Sequence, residues 1–361
     1  MTTAHLVVPD GVADPTRPSG GNTYDRAVRA GLAGHGWTVH QHEVTGDWPH
    51  PDCAARAAVA RVLAGIPDGA PVLVDGLVAS GIPDVVVPES CRLRLAVLVH
   101  LPLGLPAVDG SSGGGERGAQ WRPAEAAVLH AATAVVTTSH WTRQWLLATY
   151  GLAPARVAVA APGVDPAPPV VGSTSGARLL CVGAVTATKG QDLLVEALAE
   201  VADLDWTCRC IGSLAVDSGF VAGVRDRARA GGLGERLTFT GPQVGRELDA
   251  GYAASDLVIV PSRAETYGMV VTEALARGIP VVGAEVGGLS EALGRLPGRR
   301  RPGILVPGGE AAPLALALRR WLTDAVLRQS LRAAARERRR SLSGWAETTD
   351  RLARVLREVA A

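Results

Sequence analysis

Short runs of apolar and β-branched residues recur along the chain, and stretches with the spacing of amphipathic helices separate them. Most of these runs are continuously apolar rather than alternating, which is typical of strands covered on both faces. In the first half of the chain they lie at 4–9, 37–44, 70–77, 93–103, 133–139 and 156–165. Regular alternation of strand and helix predicts a doubly wound, parallel α/β sheet.

Two of the helical stretches carry end signals. The stretch 23–36 closes on a glycine, and 139–151 opens with Ser139 and closes on Gly151. A serine side chain accepts hydrogen bonds from the first N–H groups of a helix, and glycine takes the left-handed conformation that ends one. Both stretches are therefore predicted as helices between strands.

A segment rich in Pro, Gly and Ser, PAPPVVGSTSG at 166–176, interrupts the alternation and is predicted as a linker. A second series of strands follows, predicted at 177–185, 206–213, 236–241, 256–262, 279–285 and 303–307. We therefore expect two Rossmann-like domains, residues 1–168 and 176–341, with a cleft between them. The amphipathic stretch 345–361 is predicted as a helix that packs back onto the first domain, and the glycine-rich stretch 111–118 as a loop beside the cleft.

The composition fits a soluble globular protein with room for two domains, since 47% of its 361 residues are hydrophobic and 20% are charged. A formal net charge of +1 argues against a protein that binds nucleic acid. The sequence lacks a signal-peptide pattern and any apolar run of the ~18–20 residues that a membrane span needs, so we expect a cytoplasmic protein. The arginine runs 298–303 and 336–340 are interpreted as solvated surface, with peripheral contact to anionic lipid or an acidic partner as the alternative.

Five cysteines lie in apolar or strand-like segments, at positions 53, 91, 181, 208 and 210. The last two form a C-x-C pattern with no histidine or second cysteine pair nearby, which disfavours a zinc site. We expect buried free thiols and neither a disulfide nor a metal site.

Lys189 is the only lysine among the 36 lysine and arginine residues of the chain. It follows a predicted strand and directly precedes Gly190 and the amphipathic stretch QDLLVEALAEVA. The N–H groups at a helix start favour an anion, and an ammonium beside them acts as a point charge on phosphate. We interpret Lys189 as a phosphate contact rather than a solvated lysine. The pattern of a nucleotide-hydrolysing P-loop is absent.

A second candidate lies in PSRAETYGMVVTEALARGIPVV, residues 261–282. A turn after a buried strand carries Glu265, and the helix that follows carries Glu273 about two turns in. The start of this helix offers backbone amides to an anion, from Thr266, Tyr267, Gly268, Met269 and Val270. The two carboxylates suit a polyol such as a ribose diol, but an acidic first turn that complements the helix dipole explains them equally well.

The third candidate is the pair Gly20 and Gly21, between the first predicted strand and the first helix. Glycines let the backbone approach a ligand closely, although the spacing differs from the dinucleotide-binding pattern. His100 ends the strand RLAVLVH and is expected at the same edge of the cleft. Taken alone, a histidine in that position is more often a structural residue.

These stretches together resemble the retaining glycosyltransferases of family 4, which have the GT-B fold. ETYGMVVTE looks like the E-x7-E motif of that family, and CVGAVTATKGQDLLVEAL looks like its strand, loop, lysine and helix at the donor diphosphate. PSGGNTYDRAVRAGLAGHGWTV resembles its N-terminal glycine loop. Each motif is weak by itself, but their order along the chain is specific.

The resemblance implies an enzyme that moves a sugar from a nucleoside diphosphate sugar to a hydroxyl acceptor, expected to be a small molecule or natural product. It also implies retention of configuration and no cofactor or bound metal. Lys189 would neutralise the diphosphate, Glu265 would contact the sugar and Glu273 would bind the ribose. His100 would contact the sugar near the reacting centre. The amides from Thr266 to Val270 would hold sugar and phosphate, and further donor contacts would come from Gly20, Gly21, Gly183, Gly212 and Val244. The sequence leaves open the nucleotide (UDP or GDP), the sugar, the acceptor and the oligomeric state.

The chain departs from this family at one position. The family commonly has an arginine directly after the glycine of VG, so that two basic groups grip the diphosphate, whereas this chain has Ala184. A second charged hydrogen bond contributes about 1.5–3 kcal/mol. Donor affinity is therefore expected to be modest unless Arg263 substitutes.

Two other functions stay open from the sequence. A nucleotide-sugar 2-epimerase of the same fold would act on the donor alone and would need acid and base groups at the sugar. A non-catalytic nucleotide-sugar-binding protein would show no turnover, although the lysine and both carboxylates are present. Product analysis with donor alone, and donor turnover with acceptors, separate these functions.

Overall fold

The computed structural model describes residues 2–106 and 118–361, which form two six-stranded sheets in which neighbouring strands pair in parallel. The glycine-rich loop predicted at 111–118 lies outside the described residues except for Gly118. The first sheet has the order β2-β1-β3-β4-β5-β6 and the second the order β12-β11-β10-β7-β8-β9. Apolar clusters cover both faces of each sheet.

The first sheet consists of β1 (Thr2–Pro9), β2 (Trp37–Val44), β3 (Pro71–Asp75), β4 (Arg94–Val99), β5 (Ala134–Thr137) and β6 (Val157–Val159). Its helices are α1 (Gly20–Leu32), α2 (Cys53–Ala64), α3 (Gly76–Gly81), α4 (Pro83–Glu89), α5 (Arg122–Ala131) and α6 (His140–Tyr150). Short 3-10 turns follow α1 and precede β6.

The second sheet consists of β7 (Arg178–Val182), β8 (Thr207–Ile211), β9 (Leu237–Gly241), β10 (Leu257–Val260), β11 (Val281–Ala284) and β12 (Gly303–Val306). Its helices are α7 (Gln191–Ala199), α8 (Ser218–Ala230), α9 (Arg246–Ala253), α10 (Met269–Ala276), α11 (Leu289–Leu293), α12 (Ala311–Thr323) and α13 (Ala325–Arg339), and α14 (Trp345–Ala360) ends the chain. None of the described helices has both the length and the apolar character needed to cross a membrane.

The doubly wound α/β fold predicted from the alternating pattern is confirmed, and each of the twelve predicted strands is present. The strands are mostly shorter than the apolar runs, because apolar residues continue into the loops at their ends. β2 departs from the pattern of a strand covered on both faces. It is an edge strand, and only Trp37 and Val44 at its two ends are buried.

The helix ends follow the capping residues. α6 begins after Ser139, whose Oγ accepts a hydrogen bond from the Thr142 N–H at 2.9 Å, and it ends at Gly151 with a φ of 63°. α1 begins earlier than predicted, because Ser19 Oγ accepts a hydrogen bond from the Asn22 N–H at 3.0 Å. The glycine pair at 20–21 therefore forms the first turn of α1 rather than a loop before it.

After the second sheet the chain returns to the first. Leu352, Leu356 and Val359 of α14 belong to the apolar cluster between α1 and the first sheet. The returning chain crosses the outgoing one where the Val164 N–H donates to the Ser343 carbonyl at 3.0 Å. α14 is thus part of the core of the N-terminal half although it comes last in sequence.

The segment predicted as a linker is held by side chains of the second domain. The Ser173 hydroxyl donates to the buried carboxylate of Asp256 at 2.6 Å, and Arg339 donates to the Ala167 carbonyl at 2.7 Å. Arg338 also bonds backbone carbonyls, and both arginines are only partly exposed. The interpretation of the run 336–340 as solvated surface is therefore wrong for these two residues.

The cysteines divide into two groups. Cys181, Cys208 and Cys210 are buried free thiols, as predicted. Cys53 and Cys91 are exposed, so the expectation of burial is wrong there. Both lie at helix ends, Cys53 as the first residue of α2 and Cys91 just after α4, where an apolar neighbourhood in sequence does not imply a buried position.

Candidate active site

Each sheet has a point at which successive crossovers run in opposite directions, and ligands bind at such switch points beyond the carboxyl ends of the strands. In the second sheet this point lies between β7 and β10. The turn after β7 carries Lys189, and the loop after β10 carries Glu265. In the first sheet the point lies between β1 and β3, and His100 follows the neighbouring β4.

Lys189 and Glu265 meet across the switch point of the second sheet. Lys189 Nζ lies 2.5 Å from Glu265 Oε1, and the Ser262 hydroxyl donates to the same oxygen at 2.9 Å. The aliphatic part of the lysine lies beside Gly183, the residue after β7. The lysine side chain is 35% exposed, so its ammonium is paired but accessible to a ligand.

The loop that carries Glu265 leads into the N-terminus of α10. Gly268 caps this helix with a φ of 96°. Within the described residues, none of the backbone N–H groups from Thr266 to Val270 donates a hydrogen bond to a protein acceptor. Unpaired N–H groups at a helix N-terminus attract an anion, so this end of α10 can receive a phosphate or another oxyanion.

Glu273 lies further along α10, in a different environment from Glu265. Its Oε2 accepts a hydrogen bond from the Tyr252 hydroxyl at 2.6 Å. Burial raises the pKa of Glu273 above its ordinary value, while the Tyr252 hydrogen bond and Arg277 act in the opposite direction. The two acidic residues of the motif therefore differ in role, one paired with an ammonium and one held by a phenol.

Arg263 does not replace the arginine that the family commonly has at the position of Ala184. Its two terminal nitrogens donate to both oxygens of Asp192, at 2.7 and 2.6 Å, and Nη1 also donates to the Ala187 carbonyl at 2.8 Å. Asp192 and Arg263 are 9% and 12% exposed. The arginine is committed to a buried pair that fixes the turn carrying Lys189, which makes it a structural residue.

Replacing Arg263 with methionine is therefore expected to lower the free energy of unfolding by about 2–3 kcal/mol, because Asp192 would keep only a long contact to Arg227. Chemical denaturation measures this change. Arg319→Met is the matched control, since Arg319 makes the same two-pronged contact with Asp203 on the surface. An exposed pair contributes less than about 1 kcal/mol, so equal losses in the two variants would contradict the structural role.

The backbone of the Glu265 loop rests on two glycines that follow β11. A methyl group on Gly287 would lie 1.7 Å from the Glu265 carbonyl oxygen, and one on Gly288 would lie 2.1 Å from that of Thr266. The Gly288 N–H donates to the Glu265 carbonyl at 2.9 Å. Close backbone contact at this point sets the position of the Glu265 carboxylate.

Gly287→Ala is expected to destabilise the protein by more than about 2 kcal/mol and to reduce donor binding, because its φ of 54° and the contact with the Glu265 carbonyl both exclude a side chain. Thermal denaturation and donor titration measure the two effects. Gly223→Ala inside α8 meets no atom within 4 Å and should stabilise the helix slightly, by about 0.5–1 kcal/mol. If Gly287→Ala changed stability as little as Gly223→Ala, the close contact between Gly287 and the Glu265 carbonyl would be contradicted.

In the first domain His100 lies between two buried carboxylates. Its Nε2 is 3.0 Å from Asp25 Oδ1 and 3.7 Å from Asp75 Oδ2. Burial alone would lower the pKa of His100, but the charges of Asp25 and Asp75 and the Asp25 hydrogen bond outweigh it and raise the pKa to about 9. Burial raises the pKa of Asp75 to about 6. At neutral pH the imidazole therefore carries a positive charge.

The first turn of α1 connects this cluster to the second domain. A methyl group on Gly21 would lie 3.6 Å from His100 Cδ2, and one on Gly20 would lie 3.3 Å from Met269 Sδ at the start of α10. The glycine pair thus passes closely between the histidine and the donor-side helix. Four of the predicted residues, from both halves of the chain, come together here.

Two further candidates lie at the ends of neighbouring strands. Gly212 follows β8, and a methyl group on it would lie 2.0 Å from the Gly183 carbonyl oxygen, so it supports the strand end beside Lys189. Val244 follows β9 and is 40% exposed. The contacts of the described residues do not join Val244 to the other candidates, and its place at a base stays a prediction.

The sequence reasoning missed Asp25, Asp75 and Glu125. Glu125 is buried and accepts hydrogen bonds from the N–H groups of Leu103 and Gly104, both at 2.9 Å, which holds the loop after His100. Asp75 ends a buried strand, a position in which a carboxylate signals function in this type of fold. Asp25 carries no comparable signal, because its partner lies 75 residues away.

Two parts of the chain match known protein families. Residues 172–338 match the family described as glycosyl transferases group 1, and residues 83–168 match the one described as glycosyltransferase family 4. Two Rossmann-like domains with a site at their facing edges define the GT-B class. Both halves of the chain thus match glycosyltransferase domains, one of them the family 4 domain, and the fold is GT-B, as the resemblance of the motifs predicted.

Similar proteins agree with this assignment. The D-inositol 3-phosphate glycosyltransferase 1 of Catenulispora acidiphila is 36% identical over 257 residues, which cover 64% of this chain and 59% of that protein. The D-inositol 3-phosphate glycosyltransferase of Salinispora arenicola is 35% identical, covering 60% of this chain and 52% of that protein. The matched parts thus span little more than half the length of these relatives.

Solved structures share the fold over the whole chain. The sucrose-phosphate synthase of Thermosynechococcus elongatus has a TM-score of 0.81 at 22% identity, covering 99% of both chains. Anabaena Alr3699/HepE in complex with UDP and glucose has a TM-score of 0.77 at 17% identity, covering 99% of this chain and 100% of that one. At these identities the likeness concerns the fold.

Proposed function

We propose that this protein transfers a sugar from a nucleoside diphosphate sugar to a hydroxyl group of a small molecule, with retention of anomeric configuration. One observation carries the proposal. Lys189 and Glu265 touch at the switch point of the second sheet, beside the unpaired N–H groups that open α10. An ammonium and a set of amides suit a diphosphate, and a carboxylate suits sugar hydroxyls.

Each side chain has a role in this proposal. Lys189 neutralises the charge that grows on the diphosphate as the sugar leaves, and the amides from Thr266 to Val270 hold its oxygens. Glu265 accepts hydrogen bonds from the sugar, and Glu273 from the ribose. His100, as an imidazolium, donates to the sugar from the opposite domain. Closure of the cleft excludes water and so limits hydrolysis.

We propose UDP as the nucleotide and a phosphorylated or free polyol as the acceptor. Alr3699/HepE binds UDP and UDP-glucose, and the relatives with the highest identity quoted above are named for D-inositol 3-phosphate. The experiment is a matrix of UDP- and GDP-sugars against polyol acceptors, with D-inositol 3-phosphate included and product followed by mass spectrometry. Release of nucleotide that depends on the acceptor is the expected result.

The same matrix separates the two alternatives. An epimerase would convert the donor without acceptor, and a binding protein would be stabilised by the donor without turnover. A ligand at 100 times its dissociation constant adds about 2.7 kcal/mol to stability, so thermal shifts detect binding in either case. NMR of the anomeric proton in the product tests retention.

Activity is expected to persist in EDTA. Asp25, Asp75 and His100 are close enough together to hold a metal ion. In the proposed state these carboxylates are instead paired with the imidazolium of His100, whose pKa they raise to about 9. Loss of turnover in EDTA and its recovery with a divalent cation would reassign these three residues to a cation site.

A further inference from the structure

The proposed function does not use the arginines of α13. Arg328, Arg332 and Arg336 follow one another at intervals of one helical turn and line one cavity of about 340 Å³. On its other side the cavity is lined by Val171 and Thr174, which belong to the segment joining the two sheets. Arg332 contacts Asp256, which directly precedes β10, whereas Glu265 follows β10. The cavity therefore lies at the opposite end of the strands from Glu265 and is distinct from the donor cleft.

The cavity has an excess of positive charge. None of the residues that line it in the described part of the chain is acidic. Asp256, the carboxylate that Arg332 contacts, is fully buried and lies 3.4 Å from Arg332, but it already makes a closer ion pair with Arg178 at 3.1 Å. Burial lowers the pKa of Arg332, and Arg328, Arg336 and Arg178 lower it further, while Asp256 opposes them. The guanidinium groups therefore repel one another across the cavity.

Backbone contacts hold the arginines in place and leave donors free. Arg328 Nη1 donates to the carbonyls of Trp321 and Leu322, both at 2.9 Å, and Arg336 Nη2 donates to that of Val171 at 3.4 Å. Arg328 Nη2 also donates to the Thr174 carbonyl at 3.5 Å. A guanidinium has five N–H donors, so each arginine keeps at least two for a ligand. Oriented guanidinium groups match the oxygens of a phosphate in pairs.

We propose that the cavity between α13 and the interdomain segment is an anion site that binds a phosphate group. The group is carried either by a small soluble molecule or by a lipid headgroup, since both present the same oxygens. A bound phosphate would offset the repulsion among the three arginines. It would also connect α13 to the segment that joins the two domains, through Val171 and Thr174.

The first test compares melting temperatures in inorganic phosphate and in chloride of equal ionic strength. About 20 mM phosphate is expected to raise the melting temperature of the wild type by about 2–4 °C. Lys189→Met should show the same rise, since its change lies in the donor cleft. Arg332→Gln/Arg336→Gln should lose most of the rise. The control Arg320→Gln/Arg340→Gln removes the same charge from exposed positions outside the cavity and should keep the rise.

The second test measures sedimentation with phosphatidylcholine vesicles, with and without about 30% phosphatidylglycerol. Binding to the anionic vesicles that the cavity variant loses and the control keeps assigns the phosphate to a headgroup. A phosphate-dependent rise without vesicle binding assigns it to a soluble molecule. If the cavity variant and the control behave alike in both tests, the proposal is overturned. Arg336→Gln alone, at an exposed position, serves if the double variant does not fold.

Discussion

Replacing Lys189 with methionine is expected to lower kcat/KM at least a hundredfold while leaving the fold intact. Lys189 is the only lysine in the chain. Its ammonium lies at the switch point, 2.5 Å from the carboxylate of Glu265. Removing a donor that stabilises charge in a transition state costs about 10²–10³ in rate. Because Ala184 supplies no second cation and Arg263 is bound to Asp192, we expect little compensation from the neighbouring residues.

Stability distinguishes a chemical from a structural role of this lysine. Its side chain is 35% exposed, and such a pair contributes about 1 kcal/mol or less, so the melting temperature should change little. Ser262 continues to donate to Glu265 in the variant. Lys189→Arg should recover only part of the rate. The planar guanidinium suits fixed bidentate recognition, whereas the flexible ammonium acts as a point charge that can follow the leaving diphosphate. A methionine variant with full turnover would refute the phosphate role.

Activity is also expected to fall as the pH rises past about 9, because His100 then loses its proton. The imidazolium can donate a charged hydrogen bond to a sugar oxygen. The neutral imidazole lacks the positive charge that strengthens this bond. The pH dependence of kcat/KM reports the protonation of the free enzyme and is the measurement of choice. An alkaline limb that is still flat at pH 10 would exclude a required imidazolium.

Asp25→Asn tests the origin of this pKa. The change keeps the shape of the side chain and removes the charge that most strongly raises the pKa of His100. The alkaline limb should move down toward the ordinary histidine value of 6.5, and turnover at pH 8 should fall at least tenfold. Asp68→Asn, at an exposed position, is the control and should leave the limb in place. Asp25 acts through His100, so it is a positioning residue.

The same cluster links pH to stability. The pKa of His100 is higher in the folded protein, so its contribution to stability is complete below pH 6.5 and is lost as the pH rises through about 9. Asp75, whose pKa is raised from 3.8 to about 6, makes stability fall as the pH rises through that lower range. Denaturation of the wild type and of His100→Gln at pH 6.5 and 9.5 should therefore differ most at the lower pH.

The presence of the strands, the ends of α6 and the division into two sheets could be predicted from local features of the sequence. Apolar and β-branched runs predicted that each strand forms, and Ser139 with Gly151 predicted the ends of α6, because these signals act within a few residues. The convergence of Lys189 with Glu265 followed from the rule that ligand sites lie at the carboxyl ends of strands. That prediction depended both on the spacing of the motifs and on their resemblance to a known family.

The partners of buried charges could not be predicted in this way. The sequence left open whether Arg263 contacts phosphate, and the structure pairs it with Asp192 at a separation of 71 residues. Asp25 gave no signal of its own, and Gly287 gave no indication that it supports Glu265. Each of these relations joins residues that are far apart in sequence, and for the two charged pairs many charges of the right sign were available.

The sequence by itself thus determined which strands form, where α6 begins and ends, and which family the motifs resemble. Local conformational preference and the periodicity of burial are encoded in neighbouring residues. Only the tertiary structure decided that His100 lies between two carboxylates, that Arg263 is structural and that three arginines of α13 face a common cavity. Those outcomes depend on how the sheets pack, because desolvation and charge pairing act over distances in space rather than along the chain.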